Sequence, residues 1–82
     1  MEVLTLDKLE VGQTAVVLRL NAVGTDRRRL MDLGLLPGTR LLAEFRSPLG
    51  DPVAYRVRDT LIALRRCQAR EVEIERLEGS NT

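Results

Sequence analysis

The run Arg28 to Thr39 constrains this chain more than any other stretch. Leu30 and Leu33 are three apart and share one face of a helical turn. Gly34 follows the last apolar contact and suits the left-handed conformation that ends a helix. Leu36-Pro37-Gly38-Thr39 then reads as a type II turn: Pro37 presets φ at the second position and Gly38 supplies positive φ at the third. From Arg40 onward the apolar period switches from helical to alternating. The run therefore turns a short helix into a strand at a fixed angle, and the rest of the chain must pack around that corner.

What surrounds the corner is short and strand-rich. Leu4, Leu6 and Leu9 predict an extended start and one helical turn, with Thr5 or Asp7 as its cap. Thr14–Leu20 reads as a strand with Val16, Leu18 and Leu20 on one face. A helix is expected from Asp26 to Leu33. Residues 40–46 alternate, placing Leu41, Ala43 and Phe45 inward. Residues 47–52, Ser-Pro-Leu-Gly-Asp-Pro, form a loop by composition. Val53, Tyr55 and Val57 alternate inward, and Asp59-Thr60 forms a two-residue gap before Leu61-Ile62-Ala63-Leu64, the pattern of a tight hairpin. Residues 65–69 suit one short helical turn, and 71–76 alternate again, with Val72 and Ile74 inward. The fold class is thus mainly β: five short strands in a small, partly open barrel with one or two short helices, because closure removes vulnerable sheet edges. One domain is expected over residues 1–78, with a frayed polar tail at 79–82.

Composition excludes several functions. At 82 residues and 2% aromatic content, the core is small and aliphatic. Net charge is +1, so nothing drives the whole molecule onto nucleic acid or a lipid surface, and Phe45 and Tyr55 alone offer little for base stacking. There is one cysteine, Cys67, and no histidine, a usage that fits a reducing compartment. No stretch approaches the roughly 20 apolar residues that span a bilayer. A soluble, cytoplasmic protein is expected.

In order and spacing, the motifs Leu6-x-x-Leu9-x-x-Gly12, Arg29-Leu30-Met31-Asp32-Leu33-Gly34-Leu35-x-Pro37-Gly38-Thr39, Pro48-Leu49-Gly50-Asp51-Pro52 and Ile62-Ala63-Leu64-Arg65 resemble the FeoA family, the small cytoplasmic proteins of bacterial ferrous iron uptake. The resemblance runs from Leu6 to Leu77. It implies an SH3-like β-barrel and partnership with FeoB, the membrane ferrous iron transporter that carries a cytoplasmic G-protein domain. The family often has glycine in the hairpin where this chain has Asp59-Thr60, which leaves the turn type open. The same module occurs fused to iron-dependent repressors, but no DNA-binding segment accompanies it here, so that role is not implied.

The residues themselves point to binding rather than catalysis. Cys67 sits among Arg65, Arg66 and Arg70 without a base to activate it, so it reads as a packing or partly exposed cysteine. Transition-metal ion binding is associated with the family, yet a tight ferrous site needs His, Cys or clustered carboxylates. Glu71, Glu73 and Glu75 share one strand face and suit a hard cation; a solvated outer face explains the same alternation and is preferred. No cofactor is expected. The Arg27-Arg28-Arg29 run opens a helix against its dipole, a cost that suggests docking on an acidic surface. Arg28 as an arginine finger is the sharper reading, and solubility with pairing to Asp26 or Asp32 the plainer and preferred one. Partner-binding candidates are Leu35, Leu36, Pro48, Leu49, Asp51, Arg28 and Arg65. Leu35 and Leu36 equally suit a barrel plug, whereas Leu49 suits an exposed anchor.

The expected function is a non-enzymatic accessory protein that binds and regulates FeoB through its loops. Two alternatives remain: a self-associating barrel with weak interfacial metal binding, and a nucleic-acid-binding barrel. The second has 12 arginines in its favour but lacks both net charge and aromatic platforms.

Overall fold

The computed structural model describes residues 2–77; the tail expected at 79–82 lies outside the described residues. Strand β1 (Glu2–Thr5) leads through a 3₁₀ turn (Leu6–Lys8) to β2 (Thr14–Leu20) and helix α1 (Gly24–Asp32). Strands β3 (Arg40–Arg46), β4 (Val53–Val57) and β5 (Thr60–Leu64) follow, then helix α2 (Arg66–Ala69) and β6 (Val72–Arg76). All six strands form one antiparallel sheet in the order β1-β6-β2-β3-β4-β5. The mainly β, barrel-like class stands, with a sixth strand added. The extended start pairs with the flank of β6, matching Glu2 to Arg76 and Leu4 to Ile74, and Glu2 Oε1 lies 2.6 Å from Arg76 Nε. An edge strand of four residues is defined by its neighbour more than by its own pattern, so sequence alone shows it only as extended chain.

The corner forms as its residues dictate. Helix α1 begins two residues before the expected Asp26, with Val23 at the cap position and no side-chain cap. It ends in a Schellman motif: Leu35 N–H donates to Leu30 O at 3.1 Å and Gly34 N–H to Met31 O at 2.9 Å, with Gly34 at φ +98°. The accompanying apolar contact is made by Leu30 and Leu35, both in the core. The type II turn follows, with Thr39 N–H donating to Leu36 O at 2.9 Å and Gly38 at φ +90°. Gly38 N–H then donates to Val17 O at 2.7 Å, and Val17 N–H to Thr39 O at 2.9 Å. These bonds fasten the corner to β2 and start β3 beside it.

Two bulges change which side chains face inward. Between Val17 and Arg19 the register of β2 against β6 shifts by one, so Ala15, Val17 and Leu20 are buried instead of Val16, Leu18 and Leu20. A similar shift between Ala43 and Phe45 of β3 turns Phe45 outward, 53% exposed. A strand side chain alternates with period two, so one extra residue exchanges the faces beyond it. In β4, Val53, Tyr55 and Val57 point into the core as expected, packing with Leu6, Leu9, Leu64 and Ile74.

The β4–β5 hairpin turns on Arg58-Asp59, because Val57 pairs with Thr60. Arg58 is at φ +58° and is the only described non-glycine residue with positive φ. Positive φ at the first central position alone is the type II′ pattern, normally filled by glycine.

Two stability changes follow, both measurable by urea unfolding. Gly34→Ala places a methyl at positive φ, 3.4 Å from Val57 Cγ1, and is expected to lose about 1–3 kcal/mol. Arg58→Gly relieves a left-handed side chain and is expected to gain about 1 kcal/mol, raising Tm by about 4–8 °C.

Candidate functional site

Most of the residues that sequence pattern suggests for partner binding fall at opposite ends of β3. At its start lie Leu35 and Leu36; at its end lie Pro48, Leu49 and Asp51, with Arg65 in the cleft beside Asp51, while Arg28 stands on α1. Seven strand residues separate the two groups by about 20 Å along the strand. Asp26, Arg29 and Leu30 of α1 face Cys67 and Gln68 of α2 across a cleft of about 310 Å³.

At the first end, Leu35 is fully buried in the core as the apolar contact of the helix stop, the place a barrel plug would take. Leu36 beside it is 38% exposed. Arg28 is exposed on α1, among three successive exposed arginines.

At the second end the loop is built in detail. Gly50 N–H donates to Ser47 O at 2.8 Å and Ser47 N–H to Pro52 O at 3.1 Å, closing 47–52 into a compact turn. Its tip carries Pro48 and Leu49, and Leu49 is 94% exposed. Asp51 Oδ1 accepts from Arg66 N–H at 2.9 Å, where α2 begins. Arg65 N–H donates to Gln68 Oε1 at 2.9 Å, so the same four-residue helix is also closed from within. Asp51, Pro52 and Arg65 line a shallow cleft of about 250 Å³. The carboxylate of Asp51 thus holds the loop against α2 and presents Leu49 on a braced turn.

Beneath this end lies Tyr55, 1% exposed, whose hydroxyl donates to Leu6 O at 3.4 Å. The bond ties β4 to the segment after β1, across the open side of the sheet. Burial, reinforced by the negative charge of Asp7, pushes the phenol up to about 12.

The acidic strand face carries Glu71, Glu73 and Glu75. Glu73 is held by Arg19 Nε at 3.3 Å and by Asn21 Nδ2 at 2.9 Å, and Glu71 is exposed at the strand entry. Among the described residues no three Cys, Asp or Glu side chains converge to hold an ion. Cys67 is an exposed free thiol.

Two surfaces escape sequence reasoning. One is an apolar patch of Phe45, Leu61 and Ala63 on the outer face of β3–β5, with a cleft of about 170 Å³ beside it. Its signal is the consecutive apolar Leu41-Leu42-Ala43, which breaks strict alternation just before the bulge. The other is a cleft of about 350 Å³ where Arg40, Arg56 and Arg58 surround Leu42; Arg56 Nε there is 2.9 Å from Glu44 Oε2.

A small, half-open antiparallel barrel of six strands with exposed loops between them is an SH3-like fold. Residues 4–76 match the FeoA domain model, and the chain belongs to the FeoA family. It is 34% identical over 77 residues to a fusion of Fe(2+) transport protein A with the Fe(2+) transporter FeoB from Porphyromonas gingivalis, covering 94% of this chain and 9% of that protein. The solution structure of FeoA from Chlorobium tepidum superposes with TM-score 0.85 at 37% identity, over 93% of this chain and 72% of that one. FeoA from Stenotrophomonas maltophilia, solved with zinc and described as a procaryotic SH3 domain protein, superposes with TM-score 0.78 at 29% identity, over 88% and 89% of the two chains.

The raised Tyr55 value sets a pH dependence. The folded state holds the phenolic proton more tightly than the unfolded chain, so this contribution to stability is complete below the ordinary value of 10.0 and is lost as pH rises through about 12. The loss should total on the order of 2 kcal/mol. Tyr55 is the only tyrosine, so phenolate absorbance follows it cleanly, and Tyr55→Phe should remove this limb of the unfolding profile.

Proposed function

We propose that this chain is a non-enzymatic accessory protein of ferrous iron uptake that docks on the cytoplasmic part of a FeoB transporter and tunes its transport or nucleotide turnover. The observation that carries this reading is the relative in which a domain 34% identical to this chain is joined to FeoB in one polypeptide. Two modules joined in one chain hold each other at high effective concentration, an arrangement suited to partners that act together. Iron in this reading is the transporter's cargo. Glu73 is already engaged by Arg19 and Asn21, and the chain has no histidine, which speaks for a binding role over an iron-carrying one.

The docking element in this reading is the 47–52 loop. A leucine 94% exposed on a turn closed by its own hydrogen bonds and braced by Asp51 loses little entropy on binding and buries a full side chain. Asp51 and Arg65 supply a polar rim beside it. Leu36, ahead of β3 at its other end, belongs to a separate contact.

The test is direct binding to full-length FeoB and to its isolated G-domain, with and without guanine nucleotide. Leu49→Ala should weaken binding roughly tenfold while leaving the fold intact, since truncating an interface anchor costs about 1–2 kcal/mol. Binding unchanged by Leu49→Ala would remove the loop from the interface, and no binding to either form would overturn the partnership.

A further inference from the structure

We propose that β5 is a self-pairing edge, through which two copies of this chain associate as an antiparallel, two-fold β5–β5 ladder centred on Ile62. Strand β5 is the last strand of the sheet, and its sequence Thr-Leu-Ile-Ala-Leu has no charge, proline or glycine to discourage pairing. The two-residue hairpin fixes which backbone groups are offered. Val57 and Thr60 close the turn as a hydrogen-bonded pair, and such pairs alternate along an antiparallel ladder. Thr60, Ile62 and Leu64 therefore bond inward to β4, while the N–H and C=O groups of Leu61 and Ala63 point away from the sheet.

That alternation selects one register. Setting Leu61 of one copy opposite Ala63 of the other satisfies the outward groups of both residues in both copies, and it places Ile62 opposite its own symmetry mate. No other register uses all of them. The same register acts on charge. Asp59, the second residue of the hairpin turn, and Arg65, the residue before α2, flank the ladder three residues either side of Ile62, so the Asp59 end of one copy's strand adjoins the Arg65 end of the other's, twice by symmetry. Among the described residues neither makes a salt bridge within its own chain, although the charge of Asp59 acts on Arg56 of the neighbouring strand. Arg65 is extended at φ −72° and ψ 154°, continuing the line of the strand. The ladder itself ends at Thr60 and Leu64; Arg58, the first turn residue, and Arg66, the first of α2, lie one residue further out than Asp59 and Arg65.

Side chains agree with the backbone. Phe45, Ala54 and Ala63 form one cross-strand row on the outer face through the pairs Phe45–Ala54 and Ala54–Ala63. Pairing extends this row to Leu61 of the second copy and covers the apolar patch that the bulge in β3 exposes. The contact is narrower than a standard interface, so association is weak, reversible and concentration-dependent.

Sedimentation velocity on the purified chain from roughly 10 μM to 1 mM tests this. A monomer–dimer equilibrium is expected. Asp59→Arg or Arg65→Asp alone creates two like-charge contacts and should raise the dissociation constant roughly tenfold, while the double swap should restore it. Ala63→Pro removes an outward N–H without touching the bonds to β4, and should abolish the dimer while circular dichroism stays native. If that variant does not fold, Ala63→Lys serves the same purpose. A chain monomeric throughout, which would leave the edge to a strand of some other protein, overturns the proposal. So does a dimer indifferent to Ala63 substitution or one that the double swap fails to rescue.

Discussion

The bonds between the 30–39 corner and β2 are what the remaining structure depends on. Leu35 N–H to Leu30 O ends the helix, Thr39 N–H to Leu36 O makes the turn, and Gly38 and Thr39 exchange bonds with Val17. Together they fix where α1 stops and where β3 begins beside β2. Leu30 and Leu35 enter the core from this corner, so backbone geometry and apolar burial are satisfied by the same residues. A mispositioned corner would displace β3, and with it β4 and β5, which reach the rest of the sheet only through β3.

The sheet that grows from the corner stays open, and two devices manage its ends. Tyr55 closes one gap by donating to Leu6 O, so β4 is tied to the 3₁₀ turn after β1 although the two are far apart in strand order. The bulge at Glu44 acts in the opposite sense. It lets β3 bend around the core, and it turns Phe45 out next to the free edge of β5. The curvature of the barrel and its exposed apolar patch thus have a common origin. The braced 47–52 loop follows immediately, so Leu49 and the β5 edge lie toward one end of the molecule, and contact with a transporter and contact with a second copy would use neighbouring surfaces.

Much of this was legible in the chain itself. The Gly34 helix stop, the Pro37-Gly38 turn, the short helix after Leu64 and the inward Val53, Tyr55 and Val57 follow from local rules, and the ordered motifs indicate the family. The candidate site was legible only in part. Pro48 and Leu49 stand exposed on a loop, as composition implied, but Leu35 is core. Leu36 and Leu49, grouped from sequence, stand at the two ends of one strand, because sequence spacing says nothing of which loops lie on the same end of a barrel. Glu73 reads as a free carboxylate until Arg19 and Asn21 are seen to hold it.

The sequence by itself determined the elements governed by contacts within a few residues: where the helix stops, where the chain turns and which runs are extended. Left-handed φ, proline geometry and apolar period act locally, so they are written in the order of residues. Only the tertiary structure decided that Glu2–Thr5 is a strand, that Leu18 and Phe45 leave the inward faces expected of them, and that β5 ends the sheet. Those outcomes depend on what each strand pairs with, and a one-residue shift in pairing exchanges the faces without changing a single local preference.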